Sequence, residues 1–262
     1  MNKPVRIEHD FLGEKAIPID AYWGVHTARA LENFSISDTR ISAMPDLIRA
    51  LAFTKKAAAQ ANHQLGVLDA ERTQAIVMAC ERVIEGQFHD QFVVDVIQGG
   101  AGTSTNMNAN EVLANIGLEI LGCAKGQYER LHPNDHVNAS QSTNDVYPTA
   151  VRLSLWFALE RLLATMEALR IAFAAKASEF DHVLKIGRTQ LQDAVPMTLG
   201  QEFSTFAVML GEDIERVREA RSLIEEINLG ATAIGTGINT PAGYTDLACG
   251  LLAQYSGVAV KK

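Results

Sequence analysis

Three stretches of this 262-residue chain are rich in side chains that donate hydrogen bonds without carrying charge: Gly99-Gly-Ala-Gly-Thr-Ser-Thr-Asn-Met-Asn108, Gln141-Ser-Thr-Asn-Asp145 and Gly187-Arg-Thr-Gln-Leu-Gln-Asp-Ala-Val-Pro196. Hydroxyl and amide donors of this kind suit an anion, and above all one whose charge grows during a reaction. Each stretch is expected to lie just before a helix, where the first backbone N–H groups lack partners and the dipole favours negative charge. Capping is the ordinary use of such residues, and Ser142, Asn144 and Thr198 taken singly read as caps. Three clusters ahead of three helices read better as walls of an anion site. Gly99, Gly100 and Gly102 fit either a tight turn or a close approach of ligand to backbone.

Other chemistries find less support. There is no G-x-G-x-x-G motif and no G-K-[ST] to cradle a nucleotide. His9, His26, His63, His89, His132, His136 and His182 lack a paired metal-ligand spacing on a helix; His132 and His136 are four apart, but Pro133 interrupts them. No metal site is expected. Cys80, Cys123 and Cys249 are odd in number and widely spaced, which fits reduced thiols. A net charge of −8, with no basic stripe, argues against a nucleic-acid partner. The charged N-terminus has no apolar core that would make a signal peptide, and no run of about 18 apolar residues occurs, so neither secretion nor a membrane span is expected. A soluble, cytoplasmic protein is the reading.

The elements that must position these donors are mostly helical. Residues up to about 45 carry scattered Gly, Pro and aromatic residues and read as irregular with a short hairpin. Pro45 then opens a helix that Gly66 ends, and Asp69 caps a second that Gly86 closes. A third runs from near Asn106 to Gly122. Two long helices follow, from about Asn144 to Phe180 and from about Thr198 to Ile227. The apolar positions Leu155, Leu162, Met166, Leu169 and Phe173 of the first form a narrow seam suited to near-parallel packing. Two such helices cannot bury their seams against each other alone, so further helices or subunits are expected. The fold class is mainly α: a mixed, mostly helical N-terminal domain over 1–140, then the first long helices of an antiparallel bundle over 141–262.

The stretches over 99–115, His132-Pro-Asn-Asp-His-Val-Asn138, 141–145 and 187–202 together resemble the aspartase/fumarase superfamily, and the resemblance runs from Arg6-Ile-Glu8 through Asn228 to Gly237. Gln190, where fumarases usually have histidine, and Ala101-Gly-Thr-Ser104, where they have Ser-Gly-Thr-Gln, are more similar to the aspartase branch. The resemblance implies a lyase that eliminates ammonia from L-aspartate to give fumarate through an enediolate-like intermediate. It implies a tetramer of full-length chains with shared sites, and no cofactor. By motif, Thr103, Ser142, Thr143, Asn144, Thr189 and Gln190 correspond to the substrate-binding set, and His132, Asn134 and Asp135 to a secondary anion site. Lys185 and Arg188 are the only cations near the third stretch. The family's base, a serine, and its substrate-binding lysine lie in a G-S-S-x-M-P-x-K-x-N-P loop that this sequence lacks. The chain is therefore expected to stop short of that loop, with no catalytic base of its own. The alternatives are a fumarate hydratase of the same superfamily and a non-catalytic helical fragment or scaffold.

Overall fold

The structure, a computed structural model, describes residues 4–100 and 102–262; Met1 to Lys3, and Ala101 within the first polar stretch, lie outside the described residues. The chain divides into two compact units, one extending to Ser154 and including Glu225–Lys262, the other Leu155–Ile224.

The first unit opens with an antiparallel hairpin, β1 (Val5–Asp10) and β2 (Gly13–Pro18). Helix α1 (Val25–Asn33) follows, in a region whose local sequence reads as irregular. Its start has no cap from its own N-cap residue, Gly24. Instead two distant carboxylates take the first four N–H groups: Glu111 accepts from Gly24, His26 and Thr27 at 2.8, 2.8 and 3.1 Å, and Glu8 accepts from Val25 at 2.9 Å. These are the donors a helix leaves orphaned, and negative charge is favoured there. Burial pushes the Glu111 carboxyl above the usual carboxylate range, and its hydrogen bonds to Thr27 and the Gly24 backbone pull it back. Gly24 is required by space: a Cβ would lie 2.5 Å from both Glu8 Oε2 and the Tyr128 hydroxyl.

Helices α2 (Pro45–Gln64) and α3 (Ala70–Ile84) form as the sequence predicts, Pro45 in the first turn of one and Asp69 accepting from Arg72 N at 2.9 Å before the other. Six buried alanines of α2, Ala50, Ala52, Ala57, Ala58, Ala59 and Ala61, allow close packing, and α3 and α7 (Tyr244–Ser256) lie against it. The third helix, α4 (Thr103–Ile120), packs on α3, and the core forms from Ile48, Leu51, Ile76, Val83, Leu113, Ile116 and Leu252. Around His132 the polar connector contains one wide helical turn, Pro133–Val137, led by its proline.

The second unit holds the greater part of α5 (Thr143–Glu179), a second hairpin of β3 (Leu184–Thr189) and β4 (Gln192–Thr198), and α6 (Leu199–Leu223). Phe173, Phe180, Phe203 and Phe206 join α5 to α6 through ring contacts of 5.6–6.0 Å. The seam residues Leu155, Leu162 and Leu169 remain exposed within this chain, in line with the expectation that two helices cannot cover them. Helix α6 ends at Leu223 rather than Ile227, because the following segment pairs with the end of the chain: Ile227 N donates to Lys261 O at 2.6 Å and Lys261 N to Glu225 O at 2.8 Å. No described helix is long and apolar enough to cross a membrane.

Candidate functional site

The first two polar stretches meet. Thr103, at the start of α4, and Ser142 and Thr143, at the start of α5, line one cleft of about 510 Å³ together with Asn106, Asn134, Asp135 and Asn138. Segment 232–239 closes a further wall with Thr232, Ala233 and Asn239. Asn144 faces a neighbouring cleft of about 500 Å³, lined also by Gly100, Gly102 and Tyr147. Its amide donates to Ala233 O at 2.8 Å. Gly102 sits at φ 90°, and a Cβ there would lie 2.4 Å from the Tyr147 ring, so both conformation and space call for glycine.

Capping and site-building turn out to be one arrangement. Ser142 Oγ accepts Asn144 N–H at 3.2 Å, and the Asp145 carboxylate accepts Ser142 N–H at 2.9 Å, a reciprocal cap on α5. The other Asp145 oxygen accepts Gly230 and Thr232 N–H at 2.9 and 3.1 Å, which holds the 230–233 wall against the helix start. Thr143 Oγ1 accepts from Asn106 Nδ2 at 3.1 Å. The hydroxyls of Ser142 and Thr143 thus receive hydrogen bonds from the protein, and each keeps its own proton to donate.

Beneath this cleft lies a residue that the sequence alone did not mark. Lys55 of α2 has no exposed surface, and its ammonium donates to Asn138 Oδ1 at 2.7 Å. Burial pushes its pKa down to about 7, opposed by the charge of Asp145 and by Cys80. In sequence Lys55 is one of a Lys-Lys pair in an ordinary helix, and nothing local signals its burial.

The third stretch is not a loop before a helix, as the sequence predicts, but the β3–β4 hairpin, so most of its backbone groups pair across strands. Gln190 and Leu191 form the tip, with φ of 50° and 62°, and Leu191 is 99% exposed. Thr189 and Gln190 are exposed and belong to the second unit, whereas the first two stretches belong to the first. Thr198 does cap α6, in a reciprocal box with Gln201 at 3.1 and 3.0 Å. Lys185 and Arg188 are engaged by Glu202 and Asp193 at 2.5 and 3.2 Å.

His132 Nδ1 accepts the N–H groups of Asn134 and Asp135 at 3.2 and 3.1 Å and lines a separate cleft of about 460 Å³ with Tyr128 and His136. Asn134 lines the main cleft and Asp135 both. Burial, with Arg72 adding, pushes His136 below the usual imidazole range. Several polar residues of the α4 motif serve structure instead: Asn108 bonds Val93 N and Gln91 O, and Asn115 bonds Tyr22 O and Gly126 N. Among the described residues no group of three His, Cys, Asp or Glu side chains is placed to hold a metal.

Comparison with known proteins agrees with this architecture. A family model described as a lyase matches residues 13–262. An aspartate ammonia-lyase of Pseudomonas aeruginosa is 59% identical over 98% of this chain and 54% of its own length. One from Escherichia coli K12 is 54% identical, again over 98% of this chain and 54% of its own. The chain therefore spans about half the length of these relatives. Among solved structures, a fumarate lyase:delta crystallin from Brucella melitensis bound to cobalt superposes with a TM-score of 0.97 at 56% identity, covering 98% of this chain and 56% of that one. A class II fumarase from Schistosoma mansoni superposes with a TM-score of 0.89 at 37% identity, covering 97% and 53%.

Proposed function

Because this chain belongs to the lyase family that matches it over residues 13–262, we propose that it supplies the N-terminal part of an aspartate ammonia-lyase, which interconverts L-aspartate with fumarate and ammonia. The observation that carries this reading is the cleft in which Thr103, Ser142 and Thr143 converge from two remote segments, with the last two hydroxyl oxygens accepting from the protein and so keeping their protons to donate. Removing a proton beside one carboxylate makes an enediolate-like dianion. Neutral donors aimed at that carboxylate strengthen their bonds as its charge grows, which lowers the barrier to the elimination. Ser142 and Thr143 bind the carboxylate; Thr103, Asn144 and Gln190 serve the amino group, and Thr189 completes the substrate set. His132, Asn134 and Asp135 form the secondary anion site. The base, a serine, comes from a segment outside this sequence. The working enzyme is a cytoplasmic homotetramer of full-length chains, in which 1–140 forms the N-terminal domain and 141–262 the beginning of the central bundle.

The test is to join this chain to the remaining half of the Pseudomonas aeruginosa relative and to measure fumarate formed from L-aspartate and from L-malate. Turnover of L-aspartate is expected from the fusion and none from the 262-residue chain alone. Thr143→Val in the fusion is expected to lower kcat/KM by about 100-fold, as loss of one charge-stabilising donor does. Preference for L-malate would replace this reading with a fumarate hydratase. A folded fusion inert toward both substrates would leave only a scaffold.

A further inference from the structure

A hydroxyl can donate or accept, and an amide can be turned either way, so the donor direction of Thr143 needs something that fixes it. The chain of bonds beneath the cleft supplies that. An ammonium has only donors, so Lys55 requires that Asn138 present its oxygen, which it does at 2.7 Å. The same oxygen receives Asn106 Nδ2 at 3.2 Å, so Asn106 turns its NH2 group toward this side. That NH2 group cannot accept, and it meets Thr143 Oγ1 at 3.1 Å, which must therefore be the acceptor. Asn106 Oδ1 is left buried without a hydrogen-bond partner, so the orientation of this amide is imposed by the chain of bonds and not by its own carbonyl.

We infer that Lys55 is a positioning residue of the candidate site: through Asn138 and Asn106, its ammonium sets the Thr143 hydroxyl as a donor into the cleft. Four elements are linked in this way, α2, the turn ending at Asn138, α4 and the first turn of α5, through residues that all belong to the first unit. A neutral amine keeps two N–H donors but bonds the Asn138 oxygen less strongly than an ammonium does, so loss of the Lys55 proton weakens the constraint at its source, while Asn138 Nδ2 still donates to Gln141 O at 3.3 Å. Burial brings that loss to about pH 7. The groups that face Lys55 are Asp145 at the start of α5, whose charge favours the ammonium, and Cys80 of α3, whose thiol burial pushes up to about 12 and so keeps neutral at that pH. Because the pKa lies below the ordinary lysine value, the ammonium is complete below about pH 7 and lost above it. A dicarboxylate in the cleft adds negative charge nearby, so its binding draws a proton onto Lys55, and its affinity falls as pH rises through that range.

The inference rests on the reading of the cleft as a dicarboxylate site, and one experiment separates the two. The fusion of this chain with the remaining half of the Pseudomonas aeruginosa relative is titrated from about pH 6 to about pH 9 by NMR, with and without fumarate, bracketing the Lys55 value near 7. The signals followed are the Lys55 side-chain nitrogen, the Asn106 and Asn138 amides and the Thr143 methyl. All are expected to share one midpoint, which fumarate moves upward, and fumarate affinity is expected to fall about tenfold across it, the effect of weakening one charge-assisted bond. In Lys55→Met the amide and methyl signals should lose this pH response, and in Lys55→Arg they should stay at their low-pH positions. Amide and methyl signals that ignore the Lys55 titration would overturn the inference, as would fumarate binding with no pH dependence there; the second result leaves the dicarboxylate reading standing. Signals that follow Lys55 without fumarate binding at any pH would keep the chain of bonds and remove the dicarboxylate reading. The titration of the fusion without substitutions needs no variant, so it decides the matter even where a variant does not fold.

Discussion

Replacing Glu111 with glutamine is expected to destabilise the first unit by about 2 kcal/mol, and replacing it with alanine by about 4 kcal/mol, because buried N–H donors lose their acceptor. One Glu111 oxygen accepts from His26; the other accepts from both Gly24 and Thr27. Glutamine can keep the shared oxygen in place by turning its NH2 group toward His26 N, which leaves one donor facing another. Alanine abandons all three and opens a cavity besides. At roughly 2–4 °C of melting temperature per kcal/mol for a chain of this size, the two variants should separate clearly from the parent and from each other. Thermal unfolding followed by circular dichroism checks the order, and hydrogen exchange should quicken first in α1. Equal melting of all three proteins would show that this carboxylate does not hold the helix.

That dependence explains why α1 is invisible to local reading. Its cap comes from β1 and α4, Glu111 reaching Gly24 across 87 positions of sequence. The helices with local signals, Pro45 before α2, Asp69 before α3 and the Thr198–Gln201 box before α6, form where those signals predict. Helix α7 escaped notice for another reason. Gly243 and Gly257 flank it in left-handed conformations, but Gly250 interrupts its apolar pattern, and its burial is supplied by α2. The long α5 raises the opposite question, since Pro148 lies inside it. Proline has no N–H for the carbonyl four residues back, that of Asn144. Asn228 Nδ2 donates to that carbonyl at 3.0 Å, a substitute that no sequence window contains.

The site was legible in part for the same physical reason. Residue types betray donors, so Thr103, Ser142 and Thr143 could be picked out, and the structure brings them to one cleft. The type of a residue does not betray which way its proton points, nor that Lys55 is buried beneath the cleft while Lys56, beside it, reaches Glu81 on the surface. Hairpin pairing over 184–198 was hidden by Pro196, which discourages a strand reading; here it sits opposite Ile186 in a two-stranded ribbon with a register shift beside it.

Asp145 should show stability and site chemistry failing together. Asp145→Ala is expected to cost about 3 kcal/mol, since Gly230 and Thr232 N–H are buried and would lose their acceptor, while Ser142 N–H loses its own. Asp145→Asn should cost less, about 1–2 kcal/mol, because it can keep the doubly used oxygen and turn its amide toward Ser142. The alanine variant also frees the 230–233 segment, so amide exchange at Gly230 and Thr232 should accelerate well beyond that of the α2 core. A second consequence distinguishes this carboxylate from an ordinary cap. Its charge favours the Lys55 ammonium against burial, so removing it should move the Lys55 midpoint below about 7. Lysine side-chain NMR on Asp145→Asn, the variant that preserves the wall, reads this directly. A midpoint lower than in the parent is the expected result; an unchanged one would mean that the helix start and the buried lysine are electrostatically independent, and that the proton on Lys55 is governed by burial alone.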